Sequence, residues 1–483
     1  MLFTPYFSRR LTRACAFAVL VTSSVAHAQL PSGSRPGDTL RLSLGDAVSI
    51  AMRQSDEVGL AAARIDLADA QHGTARASLL PQLRITSAYT HVYESARGNA
   101  VGSVFNQPNT YTVNANFAQT LFQGGRLMSA TRAADDMRRA ARFDEHEDRA
   151  LVTVQVQRAY LQALYAARIV ELQENNLVLA SSRLSQVELF ERAGQAARYD
   201  VLRARVERAN IEPLTIQARS DREIAVLELK RVLNVPVEQP VVLTSRIDPA
   251  TALATLAAID DTVTMRERAA VRSAELNVEA KRLGIKVARA DYFPAVSAFI
   301  QSGYQAFPPI GFGFPTSRGA LNEQSCPAGA AVGRICQNGG FFADRQAGIN
   351  VSFPLFDGFR VKSNVDLAEA QTRLAELQLQ QQREAVSIEA ARARAELGRA
   401  RAVFAARQQN SSEADEAFRL ATLRFSRGLS TQLEVSNAQL ALLTAQSTEA
   451  RATYDLFLAA AELARTLGKP IPLSPATSSS PSR

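Results

Sequence analysis

The sequence predicts a mainly α-helical molecule with a small β part, built as two tandem copies of one unit: a very long helix, an antiparallel return helix, and a β-hairpin at the end of the rod. Three observations predict it. The chain repeats itself in register, it contains two long proline-free stretches, and each copy carries short segments in which apolar and polar residues alternate.

The repeat is the firmest of the three. Leu121-Phe122-Gln123-Gly124-Gly125-Arg126 returns as Leu355-Phe356-Asp357-Gly358-Phe359-Arg360, an offset of 234 residues. Gly194 pairs with Gly428, Asp200 with Glu434, and Leu229-x-Arg231-x-Leu233-x-x-Pro236 with Leu463-x-Arg465-x-Leu467-x-x-Pro470 at the same 234. A register held without insertion from Leu121 to Pro236 marks a length-constrained unit. Upstream, Leu79-Leu80-Pro81 answers to Tyr292-Phe293-Pro294 at an offset of 213, so the second copy carries 21 more residues, which fall in the loop Gly303 to Asp344. Fixed helices and one variable loop suit a rod that ends in a surface loop.

In chain order, residues 1–28 read as a secretory leader. Arg9, Arg10 and Arg13 precede the apolar run Ala14 to Val21, and Ala26-His27-Ala28 supplies a small-x-small cleavage signature. Ser8-Arg9-Arg10 hints at twin-arginine export, but standard export is the expectation. Removing three arginines and no acids takes the formal charge from +8 to +5. That mild excess, spread along helices, reads as a solvated face and not as a nucleic-acid surface. Cys15 lies in the leader and the expected mature terminus is Gln29, so no thiol is offered there for a lipid anchor.

The first copy, 29–235, reads as helix, hairpin at about 82–122, long helix, tip near Gly194 and return helix. A linker, 236–261, is expected around the waist of the rod. The second copy, 262–469, repeats the plan with a hairpin at about 295–356 and a tip near Gly428, and the Ser/Pro-rich tail 470–483 has the composition of disorder. No proline interrupts the chain between Pro108 and Pro213 or between Pro354 and Pro470. Arg126 to Ala193 as one helix would span on the order of 100 Å. Pro213 falls inside the return helix, where Ser447 stands in the other copy, and predicts a kink.

Val152, Val156, Ala159, Ala163, Ala166, Val170, Gln173, Leu177, Ala180, Leu184 and Val187 step by four and three, which is coiled-coil spacing. The second copy answers with Val386, Ala390, Ala393, Leu397, Ala400, Phe404, Arg407, Ser411, Ala414, Phe418 and Ala421, so both seams turn polar at one height, Gln173 and Arg407. The seams alone are also compatible with an extended coiled-coil dimer.

The strands argue further. Val113, Ala115 and Phe117 alternate with Thr112, Asn114 and Asn116, and Ile349, Val351, Phe353 and Leu355 alternate with Asn350 and Ser352. Their partners, Leu83 to Tyr93 and Val296 to Tyr304, begin just after Pro81 and Pro294. Each is near the ~9–11 residues that cross a bilayer as a tilted strand, whereas no mature segment reaches the ~18 apolar residues of a membrane helix. Two hairpins supply too few strands for a barrel, which starts at about eight, and an open edge cannot persist in lipid. Several chains must therefore close one barrel, unless the hairpins are soluble caps on a bundle.

With these residues in hand, the chain resembles the TolC family of outer-membrane factors over essentially its whole mature length. The resemblance rests on Leu80-Pro81-Gln82-Leu83, the paired Leu-Phe-x-Gly-x-Arg motifs, and two tips: Phe190-Glu191-Arg192-Ala193-Gly194 through Asp200-Val201, and Arg424-Phe425-Ser426-Arg427-Gly428 through Glu434-Val435. It implies a homotrimer with a 12-stranded barrel in outer-membrane lipid and a long antiparallel helical barrel of 12 helices in the periplasm. It also implies docking of a periplasmic membrane-fusion adaptor at the tips and an inner-membrane transporter of the RND, MFS or ABC type. Docking is then expected at Gly194, Gln195, Gly428 and Leu429, although only Gly428-Leu429 matches the family's Gly-Leu pattern. Asp200 and Glu434 stand where family members carry an acidic ring that narrows the pore, with Asn437 where some carry a second acid. On the residues alone, each acid is equally a solvated helix position.

Cys326 and Cys336 lie in the extra loop, expected outside the cell, where a disulfide or two free thiols fit. No histidine stands near them, which disfavours zinc. His72, His91 and His146 form no nucleophile or metal pattern and Gly311-Phe312-Gly313 lacks the context of a phosphate cradle, so neither an enzyme nor a cofactor is expected. The expected role is a passive exit duct of a tripartite efflux pump. The alternatives are the outer-membrane component of type I protein secretion, a periplasmic coiled-coil adaptor or scaffold that never enters the outer membrane, and a constitutive porin.

Overall fold

The computed structural model of the protein describes residues 39–94, 109–245, 268–306 and 341–468. The expected leader, Cys326, Cys336 and the tail lie outside them. Each half contributes one 67-residue rod, α3 (Arg126–Arg192) and α6 (Arg360–Ser426). At about 1.5 Å per residue each is on the order of 100 Å long. The return helices α4 (Arg198–Leu233) and α7 (Gln432–Thr466) lie along the tip-side half of the rods, and α2 (Asp56–Ala77) and α5 (Ala269–Arg289) along the sheet-side half. The result is one layer of helices with lateral order α2-α3-α5-α6 near the sheet and α4-α3-α7-α6 near the tips.

The seams pack as the spacing requires. Val152, Val156, Ala159, Ala163, Ala166, Val170, Ala180 and Val187 are buried, as are Val386, Ala390, Ala393, Leu397, Ala400, Phe404 and Ser411. The polar layer divides: Gln173 stays between helices with its Oε1 buried and unpartnered, while Arg407 is exposed. α4 runs through Pro213 without interruption.

The hairpins β2 (Gln82–His91)–β3 (Asn109–Gln123) and β5 (Ala295–Ala306)–β6 (Phe341–Ser352) join through β3 and β5 into one antiparallel sheet of order β2-β3-β5-β6. The repeated Leu-Phe-x-Gly-x-Arg motif is the corner from sheet to rod. Gly124 and Gly125 take φ of +55° and +76°, and a Cβ on Gly124 would stand 2.6 Å from the carbonyl oxygen of Ala290. The second corner uses Gly358 and Phe359 at +68° and +63°, and the Asp357 carboxylate accepts the N–H of Val361 at 2.8 Å.

A second, small sheet lies at the waist: β1 (Leu40–Leu42) pairs in parallel with β4 (Val241–Leu243), and between β1 and α2 sits α1 (Leu44–Gln54). Ser43 and Asp46 start α1 by a reciprocal capping box, each side chain accepting the other's backbone N–H at 3.2 Å. Leu42, Leu44, Ala47 and Ala51 bury against Val156, Tyr160, Leu229 and Leu233. A separate core joins α3, α6 and α7 through Leu161, Leu397, Phe404, Leu456 and Phe457.

Candidate functional site: an apolar belt and two tips

The strand register sorts the sheet's side chains into two faces. Leu83, Phe117, Ile300 and Ala347 share one row, and on the same face stand Ile85, Val113, Ala115, Ile349 and Val351. Leu83, Ile85, Ile300, Ile349 and Val351 are each more than half exposed. Large aliphatic side chains this exposed, in one contiguous patch, mark a surface that meets something other than water. The opposite face carries Arg84, Thr86, Asn114, Asn116, Gln301, Gln346 and Asn350. Phe299 is an exception there, its ring lying over Gly348 where a Cβ would meet it at 3.0 Å.

Aromatic residues close both ends of the apolar face. At the loop end are Tyr89, Tyr111 and Tyr304; the first two rings are 4.8 Å apart, and the Tyr89 hydroxyl donates to Asn109 Oδ1 at 2.9 Å. At the helix end are Tyr292, Phe293, Phe356 and Phe359, all about half exposed or more, with the last two rings edge-to-face at 5.8 Å. The 11-residue step from Phe293 to Tyr304, at about 3.4 Å per residue and a tilt of about 40°, gives an apolar height near ~28 Å, close to the ~25 Å band of membrane barrels. β2 and β6 are the edges of this sheet and have no strand partner beyond them among the described residues. Among those residues no helix is long and apolar enough to cross a membrane, which says nothing about strands.

At the far end of the rods, the two tips share one geometry. Gly194 and Gly428 take φ of +70° and +71°, the Gln195 N–H reaches Phe190 O at 2.8 Å, and the Leu429 N–H reaches Arg424 O at 2.9 Å. These are Schellman turns, which need a residue that tolerates positive φ. Gln195 and Leu429 are both exposed. The helix starts differ. Asp200, half-buried, accepts the Ala197 N–H at 3.2 Å and so caps α4, whereas in the second tip Thr431 caps α7 and leaves the Glu434 carboxylate exposed. Asp200 and Glu434 share no hydrogen bond. The tips lie side by side around a cavity of about 180 Å³ lined by Val187, Phe190, Phe418, Phe425 and Val435.

Sequence reasoning missed the polar bridge above that cavity. Arg183 donates to Gln439 Oε1 at 2.7 Å and to Glu207 at 3.3 Å, Gln439 donates to Asn176 at 2.6 Å, and Ser436 donates to Glu207 at 2.6 Å. It ties α3, α4 and α7 together. Burial pushes the Arg183 guanidinium below its usual range, and Glu207 opposes that shift. Asn176 and Arg183 sit seven residues apart on α3, and only that spacing hinted at a shared face. Among the described residues, no group of three or more His, Cys, Asp or Glu side chains is placed to hold a metal.

A four-stranded sheet with one apolar, aromatic-rimmed face, standing on two long helical hairpins, matches the fold of TolC-like channels. A family model described as outer membrane efflux protein matches residues 47–235 and 264–469, and the chain belongs to that family. Solved structures agree on the fold. A membrane protein from Pseudomonas aeruginosa is similar at TM-score 0.69 and 20% identity over 88% of this chain and 93% of that one. The outer membrane protein VceC from Vibrio cholerae is similar at 0.68 and 20% over 89% and 96%, and the CmeC outer membrane channel of Campylobacter jejuni at 0.71 and 16% over 88% and 85%. In sequence, the chain is 26% identical over 380 residues to protein CyaE of Bordetella pertussis, spanning 76% of this chain and 72% of that protein.

Proposed function

We propose that several copies of this chain, three by family resemblance, form the outer-membrane exit duct of a tripartite efflux pump. The observation that carries this reading is the sheet: its apolar face matches a bilayer in height, and its edges β2 and β6 leave backbone donors and acceptors that lipid cannot satisfy. Neighbouring copies pairing β6 to β2 satisfy both edges at once, with the polar face turned to a water-filled lumen. The rods extend the lumen into the periplasm, and solute passes through by diffusion, driven by an inner-membrane transporter coupled through a periplasmic adaptor.

The adaptor docks on the tips, more strongly at Gly428 and Leu429 than at Gly194 and Gln195, because an exposed leucine contributes apolar area that a glutamine does not. Asp200 and Glu434, repeated in each copy, ring the narrowest part of the tunnel and favour cations there. The description of the matched family supports efflux as the mode of transport. Recovery in the outer-membrane fraction, released only by detergent, is expected, and recovery in the soluble periplasm would reject the duct in favour of a periplasmic scaffold. In planar bilayers a low conductance is expected to rise several-fold on combining Asp200→Asn with Glu434→Gln; large ungated currents from the native protein would indicate a constitutive porin. Loss of the gene should sensitise cells to small toxic compounds and leave protein secretion unchanged.

A further inference from the structure

The apolar face of the sheet carries one side chain, among the described residues, with a formal charge. Arg345 lies in the row Ile85–Ala115–Ser302–Arg345, two residues from Ala343, which is paired with Tyr304 of the aromatic rim at the loop end. It is exposed and forms no ion pair or hydrogen bond among the described residues. A guanidinium facing lipid is costly at mid-bilayer and cheap near the interface. One register step, roughly 7 Å along the strand, separates Arg345 from the Tyr304 row, a distance its long side chain can cover by snorkelling toward the headgroups.

Its surroundings leave room for a ligand. Ala343 and Ala347 flank it on its own strand, and Ser302 and Ala115 follow across the row. These small side chains leave the space above β6 open beneath the rim. The half-exposed Tyr304 also has no hydrogen-bond partner for its hydroxyl among the described residues. A planar cationic fork one register step from a tyrosine hydroxyl that has no partner among the described residues, at interface height, matches the oxygens of a phosphate group.

We propose that Arg345, with Tyr304, binds the phosphate of an outer-leaflet lipid headgroup. The proposal rests on the reading of the sheet as membrane-crossing. It can be tested on the full-length protein purified in detergent as its native assembly, titrated with lipid A bearing two phosphates or with the same lipid dephosphorylated, and read by native mass spectrometry and thermal melting. The expected result is retention of the phosphorylated lipid by the wild type, a loss of affinity of about tenfold or more in Arg345→Gln, and a smaller loss in Arg345→Lys. The dephosphorylated lipid should bind the wild type as weakly as the phosphorylated lipid binds Arg345→Gln. Equal binding by wild type and Arg345→Gln would overturn the proposal. So would a lipid-free assembly of Arg345→Gln that melts earlier while binding lipid normally, since that assigns the arginine to a contact between copies. Should Arg345→Gln fail to assemble, the Arg345→Lys variant decides by the same titration. Recovery of the wild type from the soluble periplasm would reject the membrane reading itself, a different failure from loss of this one site.

Discussion

Where α2 meets α4 end to end in the first half, the junction is held without an ion pair: Asn234 donates to Gln54 O at 3.1 Å and to the Asp56 carboxylate at 3.0 Å. Beside it Tyr160, 0% exposed, donates to Leu42 O at 2.8 Å and accepts the Ser245 N–H at 3.2 Å. Where α5 meets α7 in the second half, the junction is ionic. Arg268, its side chain 6% exposed, donates to Glu147 at 2.7 Å and to Glu389. Arg465, 10% exposed, donates to Glu389, to Glu462 at 3.0 Å and to Glu147 at 3.4 Å. In the repeat register Arg465 answers to Arg231, which is exposed and bonded to Glu228 alone, and Glu389 answers to Gln155. The duplication kept the rods equal in length while the two junctions diverged, one closed around Tyr160 by hydrogen bonds to single groups and one by paired charge. Apolar burial is indifferent to pH. A cluster of two nearly buried arginines and three partly exposed glutamates holds only while its carboxylates are ionised.

The comparison can be broken most forcefully at Tyr160. Tyr160→Ala should cost about 3–5 kcal/mol by leaving a cavity and two orphaned backbone groups, read as an earlier denaturant midpoint in far-UV circular dichroism; Tyr160→Phe should cost about 1 kcal/mol. Arg268→Ala should cost about 3 kcal/mol, at the low end for a broken buried pair because Arg465 still faces Glu147 and Glu389.

Acid sharpens the contrast. Burial opposes ionisation of Glu389, but hydrogen bonds from Arg465 and Arg268 outweigh it and hold its carboxyl below the usual 4.5. Its contribution is therefore complete above that value and is lost as pH falls through the lower folded value. Below pH ~4.5 hydrogen-exchange protection, taken relative to the intrinsic rate at each pH, should fall more around Arg465 than around Tyr160, and Glu389→Gln should flatten the difference; an equal loss of protection at both junctions would refute it. The corners should respond less than Tyr160→Ala or Arg268→Ala. Gly358→Ala should cost about 1 kcal/mol for its positive φ, and Gly124→Ala about 2 kcal/mol because its Cβ also meets the backbone at Ala290.

Most of the rods were legible in the sequence because their signal is repetitive: a mainly apolar seam stepping by three and four from Val152 to Val187 and from Val386 to Ala421, in helices with no proline inside. The strands were legible by alternation, and the tips by glycines at a fixed offset. The waist was not. β1 and β4 are three residues each, too short for any period, and they pair across some two hundred positions of chain. Arg407 misled because a heptad position states where a side chain begins, not whether a long cation turns to water.

Spacing and backbone preference within a few turns of chain fix the duplicated rods, the sheet-to-helix corners, the tips and the two-faced strands. Only the tertiary structure decided that the hairpins join at β3 and β5, that Arg183 bridges two helical hairpins, and that one waist is sealed by a tyrosine and the other by arginines. Those features depend on which distant side chains are brought within about 3 Å of one another. Hydrogen bonds and charge pairs act only at that range, and local sequence pattern carries no information about it.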